Sequence, residues 1–298
     1  MVKSERARRE YVARLNLVLD HINAHLDSTL SLVELARVAR FSPFYFHRLF
    51  RFLTGESVHD YVSRLRLERA AQMLKTDTDL TITGIALNCG FSSSSNFARA
   101  FRVHFGMSAR DFRKKWQVQR KKREEPRRGP RYAQAMKSER STMKPEVRQV
   151  PELTVAYVRV LGGYKDSLIG PAFGRVMSWA GARSLIRGCP RVLGVSYDDP
   201  SITPADKCRY DACLAVPKGT EPSGDVGIET LPAGRYAVGR YEGSINRIGD
   251  AWSELTTWLP TSGFQPDDRP CYEEYMNDGN ADPNRRFIVD LYLPVKPL

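Results

Sequence analysis

Residues 80–112 read LTITGIALNCGFSSSSNFARAFRVHFGMSARDF, and a weaker copy stands about fifty residues earlier, at 30–61, as LSLVELARVARFSPFYFHRLFRFLTGESVHDY. Laid over each other, the copies place Leu35 on Ile85, Ala36 on Ala86, Phe41 on Phe91 and Ser42 on Ser92. After one residue of slippage, Phe46 meets Phe97, Arg48 meets Arg99, Phe50 meets Phe101, Gly55 meets Gly106 and Tyr61 meets Phe112. A repeat of this detail governs the reading of everything around it.

Each copy has the order of a helix-turn-helix. A short helix (33–39; 82–89) carries a small residue, Ala36 or Ala86, where a second helix must approach closely. A turn follows, with Gly90 available for positive φ in the second copy. Ser42 and Ser92 stand ahead of the next helix, where a hydroxyl caps free backbone N–H groups. In that helix Phe46, Leu49 and Phe50, and in the second copy Phe97, Ala100 and Phe101, recur at helical spacing and form the buried face. The opposite face holds Phe44, His47, Arg48 and Arg51 in one copy and Ser94, Ser95, Asn96, Arg99 and Arg102 in the other. These are groups that reach base edges and phosphates.

The second copy fits A-x3-G-F-S-S-x-S-x-F-x-R-x-F, and the paired motif resembles the DNA-binding domain of the AraC/XylS family of transcription regulators. The resemblance implies that both second helices enter successive major grooves of promoter DNA, about 34 Å apart, so one monomer reads an asymmetric site. It also implies RNA polymerase as a partner. Arg48 and Arg99 are expected on guanines or nearby phosphates. His47, Ser94, Ser95 and Asn96 are expected at base edges, and Phe44 against a thymine methyl. Ser42, Ser92, Arg51 and Arg102 are assigned to backbone positioning and phosphates.

Working outward, residues 1–118 hold 19 Lys/Arg against 11 Asp/Glu, residues 119–144 hold 10 against 3, and residues 145–298 hold 17 against 20. The basic character therefore belongs to the motif-bearing part and the stretch behind it, the footprint of a polyanion partner. Tyr11, Leu15, Val18, Leu19, Ile22 and Leu26 predict an amphipathic helix over 5–27 ahead of the first motif, and 57–75 reads as a helical strut between the motifs. An all-α domain is thus expected over 1–118, and a basic linker over 119–145 that also grazes phosphates. The N-terminus lacks a signal-peptide core and no run of eighteen apolar residues exists, so the protein is expected in the cytoplasm. The five cysteines (89, 189, 208, 213, 271) form no C-x-x-C pair, and all five histidines precede residue 105. Neither a metal nor a cofactor is expected.

From Val147 the pattern changes to short apolar strands at 154–160, 192–197, 210–216, 236–241, 271–275 and 287–293, with helices at 169–185 and 245–259. Arg159 and Gly162 match Arg240 and Gly243, Phe173 and Trp179 match Trp252 and Trp258, and RYDACLAVP matches RFIVDLYLP. Residues 146–298 are therefore expected to form an α+β domain from a duplicated strand-helix-strand-strand unit, helices on one face, with a cleft near the pseudo-twofold axis.

LPAGRYAVGRYEG (231–243), WLPTSGF (258–264), YEEYMND (272–278) and FIVDLYLPV (287–295) resemble the GyrI-like small-molecule-binding domain, which is also attached to drug-responsive regulators. The resemblance places an acid in an aromatic-lined cleft at Glu273, with Tyr275 two residues on and so on the same strand face. Tyr157, Tyr197, Tyr241 and Trp252 are candidate walls. An acid among rings suits a lipophilic cation, each ring face adding about 0.5–2 kcal/mol. The structural alternative pairs Glu273 with Arg285 or Arg286, while Glu274 points the other way, toward solvent. The reading is a ligand-responsive transcription regulator and not an enzyme. The alternatives are a GyrI-like hydrolase carried on a DNA-binding module, and a ligand-independent DNA-binding protein. With no histidine in 145–298, Ser-His-Asp and Cys-His sets inside that domain are excluded.

Overall fold

A computed structural model of the chain describes residues 2–76, 79–124, 143–186 and 188–297. They fall into two compact units, one of helices up to Glu124 and one of mixed structure from residue 143 onward.

The first unit runs α1 (Val2–Ala24), α2 (Leu32–Val38), α3 (Pro43–Thr54), α4 (Val58–Thr76), α5 (Ile82–Asn88), α6 (Ser94–Phe105) and α7 (Ala109–Glu124). Both motifs close the same way. Thr81 and Ser31 cap the first helices, and Gly55 and Gly106 end the second helices in the left-handed region at φ 75° and 70°. Phe46, Phe50 and Tyr61 pack edge to face in the first motif, and Phe97, Phe101 and Phe112 form the matching ring cluster in the second, Phe101 and Phe112 edge to face. Helix α7 continues past residue 118 to Glu124. Between Phe112 and Pro126 there is no Gly or Pro, and Lys, Arg, Gln and Glu are strong helix formers. The remaining linker residues, 125–142, lie outside the described residues.

The second unit is one antiparallel sheet, in the order β1-β6-β9-β8-β3-β4-β2-β5 with β7 on β9. Its strands are β1 (Glu146–Val150), β2 (Leu153–Leu161), β3 (Val192–Ser196), β4 (Arg209–Ala215), β5 (Gly227–Leu231), β6 (Gly234–Gly243), β7 (Phe264–Pro266), β8 (Cys271–Tyr275) and β9 (Phe287–Pro297). Helix α8 (Asp166–Gly181) covers the β2–β4 half and α9 (Ile248–Trp258) covers the β6–β9 half. Strands β3 and β8 meet at the pseudo-twofold, with Gly194 opposite Glu273. Each half is strand, helix, strand, strand. The sequence match inside it needs a two-residue shift, however, since the register sets Asp211 against Arg159 as it sets Asp290 against Arg240.

Both faces of the sheet are buried. Ala156, Val158, Tyr210, Ala212 and Leu214 lie under α8, while Ala237, Tyr241, Val289, Leu291 and Leu293 lie under α9. The other face packs Val155, Tyr157, Leu193, Val195, Tyr236, Tyr272 and Tyr292 on each other. Alternation therefore carries no inside–outside signal here, and the short polar strands β1 and β5 escape an apolar-run search.

Candidate functional site

In the helical unit the sequence sets the second helix of each motif by its cap. Ser42 Oγ accepts the Tyr45 N–H at 3.4 Å. In the second copy the cap is Ser93, which accepts from Asn96 N at 3.2 Å, and not Ser92. The slippage between the copies falls one residue earlier than the sequence match placed it. Ser92 Oγ instead accepts the Asn96 side-chain amide at 3.2 Å and orients it. Gly90, at φ 77°, is required twice over, since a Cβ there would overlap the Leu26 carbonyl and stand 2.9 Å from Arg66 Nη2. Arg66 staples the α1–α2 loop by donating to Leu26 O at 2.8 Å and Ser28 O at 2.6 Å.

Phe44, Arg48 and Arg51 on α3 are exposed, as are Ser94, Ser95, Asn96, Arg99 and Arg102 on α6. Phe44 is 74% exposed, unusual for an unpartnered ring, and carries the Arg48 guanidinium over its face at 5.8 Å. His47 is half-buried and, with Ser92, Asn96 and Arg99, lines a groove of about 790 Å3 between the motifs, floored by His59, Ser63 and Arg66 of α4.

Residues that the sequence did not single out hold these helices in place. Tyr45 on α3 hydrogen-bonds the Tyr11 hydroxyl of α1 at 3.1 Å, and Arg14 stacks on Phe41 at 4.8 Å while donating to Arg40 O. Buried Arg64 forks onto Glu56, just past the end of α3, at 2.8–3.2 Å and reaches Glu68 at 3.1 Å. The expected helix register brings an exposed arginine onto both second helices, and these contacts hold the first of the two helices.

In the second unit Glu273 is 6% exposed on the helix side of β8. Trp252 Nε1 from α9 donates to its Oε1 at 2.9 Å, and the Tyr275 hydroxyl donates to its Oε2 at 2.8 Å. The Tyr210 hydroxyl, from β4, stands 3.5 Å from the same oxygen and 3.2 Å from Tyr275 Oη. Phe173 of α8 meets Tyr275 and Tyr210 edge to face at 5.6 and 6.3 Å, so rings from both helices and both halves of the sheet enclose the carboxyl. Burial pushes the Glu273 carboxyl above its ordinary range, and the three donors partly counter this. Burial likewise pushes the Tyr210 and Tyr275 phenols well up, so both stay protonated donors.

Of the alternative partners for Glu273, Arg286 pairs instead with Glu242 at 2.9 Å, while Arg285 sits in a turn at φ 52°. Two expected walls lie elsewhere. Tyr157 and Tyr197 are on the opposite face of the sheet, because β2 and β3 are apolar on both sides and parity could not be read from the sequence. Tyr157 lies over Gly227. Tyr197 is sandwiched between Arg159 and Arg209, with its hydroxyl 2.9 Å from Asp211 and 3.0 Å from Glu229. Tyr241 is on the helix side but two strands from Tyr275, its hydroxyl given to Ser244 O at 2.8 Å. Glu274 faces away from Glu273 as expected, yet it is buried rather than in solvent, forked by Arg191 at 2.6 and 3.1 Å and bonded by Tyr292.

Tyr210, Phe173 and Gly194 are the members that sequence reasoning missed. A Cβ on Gly194 would overlap the Tyr210 ring, so this glycine admits the tyrosine that reaches Glu273. The available signal was the duplication itself, which makes Gly194 the counterpart of Glu273 across the pseudo-twofold.

Comparison with known proteins places both halves. Residues 143–296 match the GyrI-like small molecule binding domain, and residues 35–115 match a helix-turn-helix domain. A DNA gyrase inhibitor of Edwardsiella piscicida is 33% identical over 145 residues, covering 47% of this chain and 89% of that protein. The probable transcriptional regulator LumQ of Photobacterium leiognathi is 40% identical over 99 residues, 33% of this chain and 40% of its own. A solved AraC-type transcriptional regulator from Chromobacterium violaceum is 32% identical, covering 35% of this chain and 91% of its own at a TM-score of 0.33. The chain belongs to the family of GyrI-like small-molecule-binding domains, carried here behind a helix-turn-helix domain.

Proposed function

We propose that the chain is a cytoplasmic transcription regulator whose α3 and α6 read promoter DNA and whose Glu273 site binds a lipophilic cation as effector. One observation carries the effector reading. Among the described residues, the other acids of the second domain with buried side chains that form ion pairs each have an arginine: Asp211 has Arg159, Asp198 has Arg209, Asp290 has Arg240 and Glu274 has Arg191. Glu273 has only the neutral donors of Trp252, Tyr275 and Tyr210 among the described residues. A buried carboxylate without a cation is costly. Here the missing charge is supplied from outside, by a cation apolar enough to lie among Phe173, Tyr210, Tyr275 and Trp252.

For DNA, Arg48 stacked on Phe44 is presented as a stiffened reader, with Arg99 as its counterpart, and both suit guanine. His47, Ser94, Ser95 and Asn96 supply further base-edge contacts. Ser42 orients α3 and Ser92 orients the Asn96 amide, while Arg51 and Arg102 meet phosphates. Effector occupancy is read out through RNA polymerase. The experiment is in vitro transcription with RNA polymerase from a DNA site selected by the purified protein, with and without tetraphenylphosphonium. A cation-dependent change in transcript, absent in Glu273→Gln, supports the reading. DNA-dependent transcription indifferent to the cation refutes it, and conversion of the ligand to product would favour a hydrolase. The likeness to a DNA gyrase inhibitor gives a second reading, and inhibition of gyrase supercoiling by the chain would favour it.

A further inference from the structure

The two halves of the effector domain differ at one buried position on the helix side. In the first half Val158, next to Arg159, packs under α8. The matching residue, next to Arg240, is Gly239, under α9. The volume that the glycine vacates is filled from outside the repeat, by Met143. A Cβ on Gly239 would overlap the Met143 sulfur and stand 2.9 Å from its Cγ, with Leu255 Cδ1 of α9 at 3.5 Å. Met143 lies in the same apolar cluster as Trp252, Leu255, Trp258 and Tyr275. It leads directly into β1, which pairs with β6, and it directly follows the stretch of chain that joins the two domains.

We propose that Met143 is the coupling element of the regulator: a thioether plug that ties the interdomain chain to the helix contacting the effector. Trp252 and Leu255 stand one turn apart on α9, so one helix bonds Glu273 with the first and, with the second, reaches the space over Gly239 that Met143 fills. A cation seated at Glu273 competes for the oxygen that Trp252 now holds, and a shift of α9 there changes the wall against which Met143 packs. Met suits such a role, being unbranched and adaptable in shape. Release of the plug frees the start of β1. This trigger rests on the effector reading above, whereas the mechanical link from α9 to Met143 does not.

The test is hydrogen–deuterium exchange of the amides of residues 144–150 in the full-length chain. Trp252→Phe removes the donor to Glu273 while keeping an aromatic ring. It is expected to speed exchange there about threefold or more, as local opening becomes easier. Gly239→Val fills the vacancy and expels Met143. In that background exchange is already fast, and Trp252→Phe adds nothing. Met143→Ala is the second variant with the same expected behaviour, should Gly239→Val fail to fold. Tetraphenylphosphonium is added in a parallel arm, with its binding followed by calorimetry. Unchanged exchange in Trp252→Phe, or an equal increase in both backgrounds, overturns the proposal. Cation binding that alters exchange in α9 but not at 144–150 also overturns it and leaves the effector reading standing. Failure of the cation to bind, with the Trp252→Phe effect intact, defeats the effector reading and leaves the coupling standing.

Discussion

Gly194→Ala is the sharpest test of how the effector site is built. Strand β3 runs between β4 and β8, hydrogen-bonded on both sides, so its backbone has little freedom to retreat. The added methyl would overlap the hydroxyl and Cζ of Tyr210 and stand 3.1 Å from its Cε2. A ring cannot yield as a flexible tail does, and Tyr210 is wedged against Tyr164 at 6.1 Å and Phe173 at 6.3 Å. Overpacking of this kind costs about 1–3 kcal/mol. That corresponds to a Tm lower by roughly 3–10 °C for a domain of this size. The displaced ring also leaves Glu273 and Tyr275, and losing one cation–π wall of about 0.5–2 kcal/mol weakens cation binding roughly 2–30-fold. Calorimetric melting and titration of Gly194→Ala, of Tyr210→Leu and of the double variant check this. The methyl should cost little once the ring is gone, a strong non-additivity between neighbours. A Gly194→Ala protein with unchanged Tm and affinity, or an undiminished cost in the Tyr210→Leu background, refutes the placement of Tyr210.

Three further outcomes are expected. Ser93→Ala should lower stability by about 1 kcal/mol through loss of the α6 cap, measured by chemical denaturation, with Ser92→Ala milder because it frees only a side-chain amide. Arg99→Ala should cost about 1–3 kcal/mol at a selected site and relax preference at one base pair, whereas a loss spread evenly over all sequences would reassign it to phosphate. The pH dependence of stability follows from the raised Glu273 carboxyl. The folded chain holds its proton more tightly than the unfolded one, so this group's contribution is full below the ordinary glutamate range and declines as pH rises through the folded value. Glu273→Gln should therefore lose less stability than wild type between acidic and neutral pH, as read from melting curves, and parallel curves would contradict the assignment.

What the sequence disclosed was set by local periodicity. The two motifs were legible because Phe46, Phe50, Phe97 and Phe101 at helical spacing leave Arg48 and Arg99 on one solvent face. Glu273 was placed by the GyrI-like resemblance, and Tyr275 followed because two residues along a strand share a face. Tyr210 and Phe173 were not, since their approach to Glu273 depends on the β3–β8 register and on which helix covers which half. Tyr157 and Tyr197 were misassigned for a related reason: a sheet buried on both faces gives tyrosines on either side the same apolar surroundings in sequence. The cap shifted from Ser92 to Ser93 because four consecutive serines offer the same hydroxyl to the helix start, and only backbone geometry chooses among them. The Arg64 fork joins Glu68 on the strut to Glu56 in the turn before it, a buried pairing that spacing alone does not disclose.

The central claim is that Glu273 is a buried acid whose cation comes from outside. It is tested most directly by calorimetric titration of tetraphenylphosphonium, with neutral triphenylphosphine oxide alongside, into the wild-type full-length chain and Glu273→Gln. The account predicts saturable binding of the cation to wild type, at least tenfold weaker in the variant, and little difference between the two proteins for the neutral compound. Equal cation binding by both proteins, or preference of the wild type for the neutral compound, would contradict it.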